Sequence, residues 1–343
     1  MTDFTLAPDE ALLVASRGQG AGHGLWRWRR EAEGWQGVPV GHAPDLSSLA
    51  VHPALPVVYA TAGGGEGRIY AWRLSGSGGQ EIGSGPSGGV EPAHLAVDPG
   101  GRMLVIANYQ DSSLALQRLS KEGGLDGDPV IHPLSGSGPD PDRQEAAHPH
   151  QVLFRDDGAV VVLDLGADLL RVFRLDVEEA ALHPLREIAM PPGSGPRHAV
   201  FLTGGRMAVA GELGNSLLVG AGDDWTIVPA TGLEGPGRAR WERNYPGDIA
   251  SGPDGFVYLA NRSLCTLASF RTDGPAVRLV GEIDTGVDWP QHLLVHRGAV
   301  LVAGWDSGRV VSHRLEDGLP AAPEVLFHCD GACWIALMRS GDP

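Results

Sequence analysis

The sequence predicts an all-β fold, a seven-bladed β-propeller of four-stranded antiparallel blades, and three observations predict it. The first is a recurring pattern: an apolar strand, a Pro/Asp/Gly turn, a second apolar strand ending in a polar residue, a short turn, then a third strand. The second is punctuation. Fifty glycines and 26 prolines separate short apolar runs and follow no tripeptide period, which suits many short strands and tight turns. The third is that no long apolar stretch of 3.6-residue period competes for the core.

The copies run in order along the chain. Ser48-Leu-Ala-Val-His-Pro leads to Val57-Val-Tyr-Ala-Thr and Arg68-Ile-Tyr-Ala-Trp-Arg-Leu. His94-Leu-Ala-Val-Asp-Pro leads to Met103-Leu-Val-Ile-Ala-Asn-Tyr and Ser113-Leu-Ala-Leu-Gln-Arg-Leu. Gln151-Val-Leu-Phe leads to Val160-Val-Val-Leu-Asp and Leu170-Arg-Val-Phe-Arg-Leu, and three more copies start near Ala199, Ile249 and Leu293. Six units of roughly 40–50 residues result, the length of a four-stranded blade. Before residue 49 the chain supplies Ala11-Leu-Leu-Val-Ala-Ser and Gly24-Leu-Trp-Arg-Trp-Arg but no first strand; near the end, Ala332-Cys-Trp-Ile-Ala-Leu is a strand with no blade of its own. Pairing this last strand into the first blade gives the seventh blade and removes two exposed sheet edges. Residues 1–343 then read as a single domain with no linker, and the longest irregular segment, about 132–149, reads as a loop over the pocket.

Composition excludes several functions. A net charge of −16 gives no basic footprint for nucleic acid. Lys121 is the sole lysine and sits in a turn sequence, so basic chemistry falls to Arg and His. The start, Met1-Thr2-Asp3-Phe4, has no signal-peptide character, and no run is long enough to span a membrane; a cytoplasmic location is expected. Cys329 and Cys333 lack the further ligands of a zinc site and read as reduced thiols. Gly18-Gln-Gly-Ala-Gly-His-Gly and Gly63-Gly-Gly-Glu-Gly read as hairpin turns, since no helix follows them. Gly85-Pro-Ser-Gly-Gly matches a nucleophile-elbow pattern but lacks the helix and reads as an interblade linker.

Residues just before a blade's first strand and at the end of its second share one face. At those positions His94 pairs with Asn108, His150 with Asp164, His198 with Glu212 and Asp248 with Arg262, each 14 residues apart, while His292 faces Trp305. With Arg197 beside His198, this gathers ionisable groups at one mouth, the signature of a functional pocket.

Several segments carry a resemblance: His94-Leu-Ala-Val-Asp-Pro with Ala107-Asn-Tyr, Asp142-Arg-Gln-Glu-Ala-Ala-His-Pro-His, Asp164-Leu-Gly-Ala-Asp, Gly195-Pro-Arg-His, Gly211-Glu-Leu, Ala260-Asn-Arg and Pro290-Gln-His-Leu. Over nearly its whole length the chain resembles the seven-bladed propeller lactonases, which include the bacterial propeller-type 6-phosphogluconolactonase and the fungal carboxy-cis,cis-muconate lactonising enzyme. The chain departs from the family at Gly211, usually Asn, at Trp305, usually Gln, and at Gly247-Asp-Ile, usually Ala-Glu-Ile.

The resemblance implies a catalytic set of His150, Glu212, Arg197 and Arg262. Arg143, His148, Asp164, His198, Asp248, Asn261, His94 and His292 are expected to bind substrate around it. The expected activity is metal-independent hydrolysis of a sugar lactone, 6-phosphogluconolactone first, with no cofactor, with a small anionic sugar lactone as substrate, and with neither nucleic acid nor membrane as partner. Glu212 would activate water with His150 assisting, and the arginines would hold anionic oxygens. Alternatives are another carboxylate-bearing lactone hydrolase or cyclase, a calcium-assisted lactonase using Glu212, Asp164, Asp248 and Asn261, and a non-catalytic propeller binding a small anion.

Overall fold

The computed structural model describes residues 4–76, 78–233, 243–273 and 276–339; Met1–Asp3 of the N-terminal reading lie outside the described residues. Seven antiparallel sheets follow one another, and among the described residues the only helical elements are two single turns, Thr203–Gly205 and Pro253–Gly255. In the first sheet the C-terminal strand Ala332–Arg339 pairs with Glu10–Ser16, followed by Gly24–Glu31 and Gly34–His42, so the expected closing of the first blade is observed.

In the other six blades the first and second strands are Leu46–Val51 with Val57–Ala62, Pro92–Val97 with Met103–Asn108, Pro149–Phe154 with Val160–Asp164, Pro196–Phe201 with Met207–Gly211, Pro246–Ser251 with Phe256–Asn261, and Pro290–His296 with Ala299–Gly304. Each first strand begins about three residues earlier than the sequence pattern suggests, at a proline in five cases. Proline suits a strand's first residue, where its missing N–H costs no ladder bond. Second strands are buried along their whole length, as in Val57–Ala62 and Met103–Asn108, because apolar neighbours cover both faces. Outer strands such as Leu125–Pro133 are mostly exposed.

The Gly85-Pro-Ser-Gly-Gly segment is not a linker. It belongs to the strand Gly78–Val90, which pairs with Glu66–Ser75 as the edge of its blade. An edge strand tolerates Pro86 because one side of its backbone makes no ladder bonds.

The chain divides into two compact units, Ala189–Ile335 (with Met1–Thr5) and Leu6–Ile188 (with Ala336–Pro343). Within the first, the strands beginning at Pro196, Pro246 and Pro290 lie side by side; within the second, those beginning at Leu46, Pro92 and Pro149 do so. Apolar residues of successive blades interlock, as where Ala208, Ala210 and Leu217 meet Ile249, Val257 and Leu259. Among the described residues no helix is long and apolar enough to cross a membrane, and Cys265, Cys329 and Cys333 are buried and in no disulfide.

Candidate active site

Two backbone features repeat in six blades and decide which side chains can meet. Each first strand carries a register shift just after its opening residue, and the residues passed over are Ser47, Ala93, His150, Arg197, Gly247 with Asp248, and Gln291. A bulge of this kind re-aims a side chain. The residue following each second strand donates its N–H to a carbonyl just before the first: Gly63 to Asp45, Tyr109 to Glu91, Leu165 to His148, Glu212 to Gly195, Arg262 to Tyr245 and Trp305 to Trp289, at 2.9–3.2 Å. Gly63, Tyr109, Leu165, Glu212, Arg262 and Trp305 are therefore equivalent.

This corrects the 14-residue ladder. Asn108 and Asp164 are the last residues of their second strands, one short of the equivalent position. A slip of one residue along a strand turns a side chain to the opposite face. The residues matching Glu212 and Arg262 are Tyr109 and Leu165, and His150 matches Arg197 rather than His198.

In the Ala189–Ile335 unit, Arg197, Glu212 and Arg262 form one buried cluster, 3%, 4% and 8% exposed. Arg197 Nε lies 3.0 Å from Glu212 Oε2, and Arg262 Nη2 donates to that same oxygen. Arg197 Nη1 donates to the Gly247 carbonyl at 2.9 Å and Arg262 Nε to the Tyr245 carbonyl at 3.1 Å. Trp289 closes one side, with the Arg262 guanidinium carbon 5.1 Å from its ring centroid. Two buried guanidinium groups thus converge on one carboxylate oxygen, a charge-assisted arrangement that fixes both forks.

A second buried network adjoins it. His198 Nδ1 and Asp248 Oδ1 are 2.7 Å apart, and Asp248 Oδ2 accepts the Leu293 N–H at 2.7 Å with His292 Nε2 3.7 Å away. The Ile335 N–H donates to His292 Nδ1 at 3.3 Å, so the neutral His292 carries its proton on Nε2, toward Asp248. The His292 ring lies 4.0 Å from that of Trp334, centroid to centroid. Burial, with Arg197 adding to it, pushes the His198 imidazole down to about 4. Burial also lowers His292, against the pull of Asp248. Burial opposes ionisation of Asp248, yet His292, His198 and the Leu293 N–H together hold its carboxyl well below the usual range.

This network makes stability depend on pH. Below the ordinary histidine value of about 6.5 the unfolded chain binds a proton that folded His198 refuses until about pH 4. Stability is therefore full above that window and falls as pH drops through it, by about 3 kcal/mol from this group. The Asp248 contribution is lost only below about pH 3.9, the unfolded carboxylate value. Denaturant unfolding between pH 7.5 and pH 5 is expected to show this fall, with a shallower slope for His198→Gln; identical slopes would contradict it.

The Leu6–Ile188 unit holds the other residues. His148 is buried, its Nδ1 2.8 Å from the Tyr109 carbonyl, its Nε2 3.1 Å from Glu145 Oε1 and its ring stacked on Tyr109 at 4.5 Å. Arg143 donates to the Tyr109 hydroxyl at 3.2 Å, and half-buried His150 meets the same ring edge-on at 5.7 Å. His94 is buried at 7% exposure in its first strand.

Asp164 and Asn261, expected as substrate ligands, are fully buried and spent on the fold. Asp164 accepts the N–H groups of His148 and Ala167 and the Arg171 Nε, at 2.8, 3.1 and 2.9 Å; burial pushes its carboxyl up while Arg171 pulls it back. Asn261 donates to the Ala230 carbonyl and to Thr266, and accepts from Asn244. The four residues considered for calcium each pair with separate protein groups, and among the described residues no three His, Cys, Asp or Glu side chains are placed to hold a metal.

Sequence reasoning missed Tyr109, Trp289 and Trp334. Two of them left signals: Tyr109 follows the polar strand end at Asn108, and Trp289 precedes Pro290 as Glu91 precedes Pro92 and Gly195 precedes Pro196. Glu91, Gly195 and Trp289 share left-handed backbone, with φ of 49°, 57° and 54°. That conformation is an outlier for a residue as bulky as tryptophan.

Comparisons with known proteins agree with this architecture. The family model described as "Lactonase, 7-bladed beta-propeller" matches residues 11–318. A 6-phosphogluconolactonase of Formosa agariphila is 26% identical over 262 residues, covering 72% of this chain and 74% of its own. The 6-phosphogluconolactonase of Bacillus subtilis is 26% identical over 266 residues, covering 72% and 73%. The solved structure of a periplasmic gluconolactonase of Pseudomonas aeruginosa superposes with a TM-score of 0.83 at 22% identity, covering 96% of this chain and 99% of that one. The chain belongs to the seven-bladed β-propeller lactonase family and is a lactone-hydrolysing enzyme.

Proposed function

We propose that the chain hydrolyses a sugar lactone bearing an anionic group, 6-phosphogluconolactone first, at the Arg197–Glu212–Arg262 cluster. The observation that carries this reading is one buried carboxylate oxygen shared by two buried guanidinium groups. Such a site supplies what lactone hydrolysis demands: a proton acceptor for water, a cation for the tetrahedral oxyanion and a second cation for the charged substituent.

In this reading water attacks the lactone carbonyl while Glu212 takes its proton. The oxyanion forms against Arg197 as negative charge moves from water onto the carbonyl oxygen. Collapse of the intermediate breaks the bond to the ring oxygen, and Glu212 returns the proton to that oxygen. The products are a free hydroxyl and a carboxylic acid, which ionises in water. Arg262 holds the phosphate or carboxylate of the substrate, a task suited to a planar fork that never loses its charge. The relatives named 6-phosphogluconolactonase support the substrate assignment. A phosphorylated sugar substrate supports a cytoplasmic setting.

The test is loss of freshly generated 6-phosphogluconolactone, and of δ-gluconolactone, in the presence of purified protein and a chelator. Consumption of the phosphorylated lactone well above its spontaneous rate is expected. No acceleration with either compound would overturn the reading and favour a propeller that only binds a small anion.

A further inference from the structure

The surroundings of Arg262 go beyond simple ion pairing. Its Nε is taken by the Tyr245 carbonyl at 3.1 Å and its Nη2 by Glu212. The Trp289 ring covers the guanidinium, 5.1 Å from centroid to Cζ. The aliphatic stem packs against Gly247: a Cβ there would stand 2.7 Å from Arg262 Cδ and 2.8 Å from Cγ. That is closer than carbon atoms approach, so any side chain at 247 would displace the arginine. Nη1, by contrast, makes no hydrogen bond to any described residue, and the side chain stays 9% exposed.

Trp289 is itself held. It has φ of +54°, its Nε1 donates to Gln291 Oε1 at 3.1 Å, and its carbonyl accepts the Trp305 N–H at 3.1 Å. A strained backbone kept in place by several contacts is commonly found where a side chain must be positioned. Here the positioned group is the ring over Arg262.

We propose that Trp289 and Gly247 are positioning residues that preset Arg262 as a receptor for the anionic substituent of the substrate, so that this enzyme selects charged over neutral lactones. The proposal rests on the lactonase reading of the same cluster. A guanidinium held on three sides loses little freedom when the fourth is engaged, and preorganisation of this kind strengthens binding without adding contacts. The cation–ring contact also keeps the charge in a partly dry setting, where its pull on a phosphate is strongest.

The experiment compares kcat/KM for 6-phosphogluconolactone and for δ-gluconolactone in the wild type, Trp289→Leu, Trp289→Phe and Gly247→Ala. Trp289→Leu is expected to lower the charged-to-neutral ratio about tenfold through KM for the phosphorylated lactone, with Trp289→Phe restoring most of it. Gly247→Ala, acting from the opposite side of the arginine, is expected to lower the same ratio. An unchanged ratio in both Trp289→Leu and Gly247→Ala, or a Trp289→Phe no better than Trp289→Leu, would overturn the proposal. A general folding defect lowers both substrates together and leaves the ratio alone. A wild type that hydrolyses only the neutral lactone defeats the proposal together with the anionic substrate class, while lactone hydrolysis at the cluster stands; one that hydrolyses neither defeats the reading itself.

Discussion

Replacing Arg197 by alanine is expected to lower kcat for lactone hydrolysis about 100-fold, the usual cost of removing one oxyanion donor. The geometry explains the size of the effect. Arg197 is the bulged residue of its first strand, and its fork is anchored at both Glu212 and the Gly247 carbonyl. In the proposed reaction it would meet the developing charge without having to move. Arg197→Lys is expected to recover little, because a single ammonium cannot reproduce the two-pronged geometry. Steady-state kinetics on each variant, with circular dichroism to confirm folding, check this; wild-type turnover in Arg197→Ala would remove the residue from the mechanism.

The largest stability effect is expected at Asp164. Alanine there takes from Arg171, whose side chain is 6% exposed, its one fully buried acidic partner and leaves it half-exposed Glu187 and the Ser135 carbonyl. Breaking a buried ion pair from one side costs about 3–5 kcal/mol. Asp164→Ala should therefore lower the unfolding midpoint sharply, while the protein that remains folded turns over lactone at the normal rate. A stable variant with lost activity would restore Asp164 to the substrate site.

The contrast between these residues shows how far the sequence could be read. Blade number, strand order and the closing of the first blade by Ala332–Arg339 were all legible, because each copy repeats an apolar strand, a turn and a second apolar strand. Glu212 and Arg262 were legible too, since in their blades the spacing from the first strand counts correctly to the residue after the second. The same count failed at Asn108 and Asp164. Bulges and turns of unequal length shift it by one, and in a period-two structure one residue decides between the ligand face and the interior. Gly85-Pro-Ser-Gly-Gly was misread for another reason: its glycines and proline resemble a linker, yet an edge strand tolerates both. The place of Trp289 before its first strand left a periodic mark, but the lie of its ring over Arg262 did not, because that contact joins neighbouring blades.

The central claim is that the carboxylate shared by Arg197 and Arg262 is the working centre of a lactonase. The most direct measurement is hydrolysis of 6-phosphogluconolactone by the wild type and by Glu212→Gln, a change that keeps the shape and removes the charge. The account predicts a loss of about 100-fold in kcat, within the range typical of a lost general base, together with a folded protein. Undiminished turnover by Glu212→Gln would contradict it and move the chemistry to another part of the molecule.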